Sequence, residues 1–116
     1  MDNKDVLKEI NAKIASLKTW LSSPVLGEHI YVVGRDGLWI SSIEVINGRL
    51  TGKHHISGNA IDARTFSRAN ADIIAGVTKN GNGFFSVQTK IDAVKDCLMD
   101  AESAATMFEL LESDIV

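Results

Sequence analysis

The chain holds one cysteine and one proline. Cys97 has no second thiol with which to close an internal disulfide, which fits a reducing compartment, so the expected location is cytoplasmic. A single proline argues against proline-rich linkers and long disordered stretches. With three histidines and that one cysteine, a His/Cys zinc centre is poorly supplied, and no metal or cofactor is expected. No apolar run reaches the roughly 18 residues of a membrane span. The charged, amphipathic beginning does not read as a secretory signal. Catalytic signatures are missing as well. No serine sits in a Gly-x-Ser-x-Gly elbow, and no Gly-Lys-Ser/Thr follows a glycine-rich loop. Cys97 lies next to Leu98 in a helical pattern and reads as a small buried apolar residue.

What is present suits one globular domain over residues 1–116, since 45% hydrophobic and 23% charged residues can build a core of that size. The net charge of −3 argues against a broad surface for extended nucleic acid. The charge is uneven. Residues 29–79 carry six Lys/Arg against four acids, whereas residues 80–116 carry two lysines against seven acids. The middle therefore attracts anions, and the end is acidic.

The expected fold class is α+β. Residues 3–21 read as a helix, with Leu7, Ile10, Ile14, Leu17 and Leu21 spaced by three and four. Residues 29–56 read as an antiparallel β-meander. Its turns at Asp36-Gly37 and Asn47-Gly48 suit two-residue reversals in which both residues take positive φ. Strict alternation then opposes Gly34 to Trp39, Val33 to Ile40, Val45 to Leu50, Ile43 to Gly52 and Ser41 to His54. It puts Val32, Trp39, Ile43, Val45, Leu50, His54 and Ile56 on one core face. The other face collects Tyr31, Val33, Leu38, Ile40, Arg49, Lys53 and His55, half apolar and half basic. Residues 62–75 read as a middle helix capped by Asn59 or Asp62, with Gly76 closing it. A short strand, FFSVQ, follows a glycine-rich loop. Residues 89–112 form the long final helix, opened by Thr89 with Asp92 and seamed by Ile91, Val94, Leu98, Ala101, Ala105 and Phe108.

Three functions compete. The leading expectation is a small non-enzymatic binding protein, a homo-oligomer acting on a macromolecular partner. Its size, its pI near 5.5 and its lack of motifs suit an accessory or inhibitor protein of bacterial or phage type. Its contact zone is expected at Tyr31, Arg49, Lys53, His55, Arg64, Arg68, Lys79 and Phe84. Val33, Leu38, Ile40, Leu7 and Ile14 are expected at the junction between subunits. The second reading is sequestration of a small anion such as a nucleotide at a subunit junction. Arg64 and Arg68 would offer planar forks at a helix start, and Phe84 a stacking ring. The plainer account of Arg68 is a pair with Asp72, four residues on. The third reading is an enzyme, metal-dependent or histidine-based, resting on the three histidines, with His54 and His55 side by side, and scattered acids. Adjacent strand residues point to opposite faces and cannot chelate one ion together, and the following helix offers only Asn70 and Asp72 as further ligands.

Overall fold

The computed structural model describes residues 3–22, 30–77 and 85–113. The elements run α1 (Asn3–Ser22), β1 (Tyr31–Arg35), β2 (Leu38–Ile46), β3 (Arg49–Ser57), a 3₁₀ turn (Ala60–Asp62), α2 (Arg68–Val77), β4 (Ser86–Thr89) and α3 (Lys90–Ser113). This is the expected α+β order. The antiparallel sheet has the order β3-β2-β1-β4, so the returning strand joins the meander beside β1.

Both tight turns form with positive φ. Asp36 and Gly37 lie at 52° and 77°, and Asn47 and Gly48 at 52° and 76°. The register next to each turn follows, with Gly34 opposite Trp39 and Val45 opposite Leu50. Farther along the second hairpin, strict alternation fails. Ile43 faces His54, Ser42 faces His55 and Ile40 faces Ile56, because the pairing shifts twice. One shift falls where β3 passes Gly52, whose φ is 89°. The other leaves Ser41 as an extra residue on β2.

The extra residue reverses the faces of the hairpin relative to expectation. Val32 and Trp39 lie on the face covered by α1 and α3, in a core with Leu17, Ala60, Ala63, Ala93, Val94, Cys97 and Ala101. Val33 and Ile40 lie on the other face, where Ala71 and Ile74 of α2 bury them completely, with Tyr31, Ile43, Leu50, Phe66 and Val87 around them. The two-sided apolar sheet is thus satisfied within one chain. Val33 and Ile40 are interior residues and not part of a junction between subunits. Ile14 likewise packs on the α1–α3 core. Leu7 is half-buried, and Leu38 remains at the surface.

The middle helix starts at Arg68 and not near residue 62, and it contains Gly76. Asn59 caps the 3₁₀ turn instead, accepting from the Ile61 amide at 3.0 Å. Ser67 accepts from the Asn70 amide at 3.2 Å and opens α2. Between these caps the chain is tied to the sheet. The Arg64 amide donates to Ile40 at 2.9 Å, and Phe66 and Tyr31 exchange backbone bonds of 2.8 and 3.0 Å. The 64–66 segment fills the gap where β2 separates from β1, so tertiary backbone bonding overrides helical propensity there.

Direction along the molecule follows from a few contacts. The Lys90 amide donates to Ile30, and Lys90 Nζ reaches the carbonyls of Ile61 and Ala63 at 2.7 and 2.9 Å. Ten residues later, the Asp100 carboxylate lies 3.8 Å from where a Cβ on Gly37 would stand. α3 therefore runs alongside β1 and continues past the β1–β2 turn. α1 runs antiparallel to it, with Trp20 beside Ile61 and Lys13 Nζ bonded to Gly58 at 3.0 Å. β2 leaves that turn in the opposite direction and carries β3 with it. The chain measures 58 × 33 × 20 Å, and the far part of α3 and the β2–β3 hairpin, here called the arm, leave the β1–β2 turn in opposite directions.

Candidate interaction surfaces

The residues expected to form one basic zone are divided by the sheet. Tyr31 and Arg68 do meet, and Arg64 stands close by, over the ring of Phe66, whose backbone pairs with Tyr31. The Arg68 guanidinium lies 5.4 Å from the Tyr31 ring centre, and that of Arg64 lies 5.8 Å from Phe66, a residue the sequence reading left out. Arg68 also donates to Asp72 at 3.3 Å, so the plainer account of that arginine holds. Arg49, Lys53 and His55 sit elsewhere. His55 and Lys53 alternate with Ser57, which faces Trp39, and Arg49 alternates with Leu50, which faces α2. All three therefore project to the α1–α3 side of the sheet, opposite Tyr31. Lys79 and Phe84 lie outside the described residues.

The two histidines separate as adjacent strand residues must. His54 is half-buried on the α2 side. Its ring meets Phe85 edge-on at 5.4 Å, and its Nδ1 lies 3.0 Å from the Gly52 carbonyl. His55 is exposed. His54, Arg35, Leu38, Ile56 and Phe85 line a concavity of about 270 Å³ at the end of that face, with Arg35 5.9 Å above the Phe85 ring. A wider hollow of about 700 Å³ follows the bulged part of the arm, between Ser42–Glu44 and Thr51–His55. A third, of about 370 Å³, lies beneath the β1–β2 turn. There Trp39 Nε1 donates to Gln88 at 3.0 Å, and Gln88 donates to Asp96 at 2.9 Å. Among the described residues, no three His, Cys, Asp or Glu side chains are grouped to hold a metal ion. No described helix is long and apolar enough to cross a membrane.

The chain matches no known protein family, no curated protein and no solved structure.

Among the described residues one charged side chain is buried, and its contacts are structural. Lys90 is enclosed, and burial lowers its pKa from the usual 10.5, with the Asp62 carboxylate acting the other way. Its ammonium holds the 3₁₀ turn against the start of α3.

Among the described residues, the three most exposed large apolar side chains are on α3. Met99, Met107 and Leu110 are 65%, 64% and 62% exposed, on the side of the helix turned away from α1. Leu111 flanks them. Their spacing, Met99 to Ser103 to Met107 to Leu110, steps by four, four and three and is legible in the sequence as a second stripe. On the arm, Val45 and Ile46 are 52% and 54% exposed.

Proposed function

We propose that the protein is a small non-catalytic binding protein that works as a homo-oligomer and engages a macromolecular partner. The observation that carries this reading is the outward stripe of α3. An amphipathic helix with one side in its own core has no internal use for two methionines and a leucine, each more than three-fifths exposed, on its other side. Four charges, Asp92, Lys95, Asp96 and Asp100, border the stripe and keep it from being a simple greasy end. Size-exclusion chromatography with light scattering at micromolar concentration tests the proposal. The expected result is an assembly larger than one chain that Leu110→Lys shifts towards monomer without lowering the unfolding midpoint. A wild-type chain that stays strictly monomeric overturns the oligomeric part.

Sequestration of a small anion has one favourable feature, the pairing of Arg64 with Phe66 and of Arg68 with Tyr31, which presents guanidinium groups over rings. The Arg68–Asp72 bond weighs against it, because the arginine is already engaged. A nucleotide at 100 times its Kd would stabilise the fold by about 2.7 kcal/mol, which a thermal-shift series resolves.

A further inference from the structure

We propose that the outer side of α3 is covered by the β arm of a second copy of the same chain. The result is a two-fold dimer in which each arm lies on the other subunit's α3. This rests on the self-association proposed above and specifies its geometry.

Three features converge. The first is charge. In the arm, residues 41–55, Arg49 and Lys53 stand against the single acid Glu44. In α3, residues 91–113 hold six acids against Lys95. The two surfaces are opposite in sign, as partners across an interface need to be. The second is apolar content. On the face that carries Arg49 and Lys53 the arm offers Ile46, 54% exposed, while its neighbour Val45 turns to the opposite face with Leu50, and α3 offers Met99, Met107 and Leu110. Methionine side chains adapt to such a partner. The spans agree too. Residues 41–46 extend about 20 Å as a strand, and Met99 to Leu110 covers about 16 Å of helix.

The third feature is polarity. The arm and the far part of α3 leave the β1–β2 turn in opposite directions. Two copies laid side by side in opposite directions bring arm to helix at both ends simultaneously. That arrangement is isologous and closed, whereas the same contact made head to tail would propagate an open chain. Beyond Ile40, β2 has left β1, and α2 covers one face of the ribbon at Ile43 and Leu50, which leaves the face with Arg49 and Lys53 for a partner.

Disulfide trapping tests this. Thr51→Cys puts a thiol on the arm and Ser103→Cys puts one in the middle of the α3 stripe, both at exposed positions, while the native Cys97 is buried. Each variant is oxidised alone and in an equimolar mixture after subunit exchange. The expected result is a linked pair in the mixture only, with a yield that falls as ionic strength rises. Self-linking of Ser103→Cys, self-linking of Thr51→Cys, or no linking in a mixture that light scattering shows to be dimeric would each overturn this geometry and leave self-association standing. Assemblies heavier than a dimer overturn the closed two-fold arrangement. A strict monomer overturns both proposals.

Discussion

Replacing Lys90 by methionine removes the ammonium and keeps most of the stem. In the native protein Nζ donates to the carbonyls of Ile61 at 2.7 Å and Ala63 at 2.9 Å, and the side chain is almost fully enclosed. The substitution leaves two carbonyls without that donor, at about 1–3 kcal/mol for each buried group. The opposing effect is the desolvation of the charge itself, which is what lowers the lysine's pKa. The Ala63 bond is the more deeply buried of the two, so the unpaired carbonyls outweigh the relief. The expected net loss is roughly 2–3 kcal/mol, a large fraction of the ~5–15 kcal/mol that holds a domain together. Urea unfolding reads it as a lower midpoint with an unchanged slope. The pH dependence gives a second check. The folded pKa of Lys90 lies below the unfolded value of 10.5. Between those two values the unfolded chain binds more protons, so this residue's contribution to stability rises with pH. Its charge penalty is fully present at neutral pH and fades as pH climbs through the folded value towards 10.5. The wild type's advantage over Lys90→Met must therefore widen in alkaline buffer, since the other titrating groups are common to both. A methionine variant as stable as the wild type, or a gap that narrows with rising pH, refutes the account of Lys90 as a clamp on the 3₁₀ turn.

Two further outcomes are expected. Gly34→Ala places a methyl against the Leu38 carbonyl and 2.7 Å from Trp39 Cδ1, with Trp39 held by Gln88, and costs about 3 kcal/mol in chemical denaturation. Asp72→Asn breaks the pair with Arg68, but both side chains are more than half exposed, so the unfolding midpoint moves by less than about 0.5 kcal/mol equivalent.

Much of the fold was legible because it rests on local rules. The three-and-four spacing of Ile10, Ile14 and Leu17, and of Val94, Leu98 and Ala101, marks two helices that do pack together. Asp36-Gly37 and Asn47-Gly48 specify their turns because few other residue pairs take positive φ at both positions. Alternation, by contrast, is a rule about an unbroken strand. Ser41 breaks it, and every assignment beyond that point inherits the error. Ile43 and Leu50 face α2 and not Trp39, and Lys53 and His55 turn away from Tyr31. No local feature of Ser41 distinguishes it from Ser42. The extended course of Arg64–Phe66 was equally hidden, since it depends on carbonyls and amides of Ile40 and Tyr31 more than twenty residues away. The candidate site suffered accordingly. A single basic zone requires an uninterrupted ribbon, whereas the exposed α3 stripe is legible in the spacing of Met99, Met107 and Leu110.

β4 ends at Thr89 and α3 begins at Lys90, with no residue between them. The strand and the helix therefore behave as one bent rod, anchored in the sheet at one limb and projecting about 36 Å along the other. A rotation of only about 5° at the elbow would displace the far tip by roughly 3 Å, from the length of the helix alone. Whatever grips that tip has mechanical purchase on the edge of the sheet, and a displacement there is passed first to Tyr31, the partner of Thr89 at the elbow.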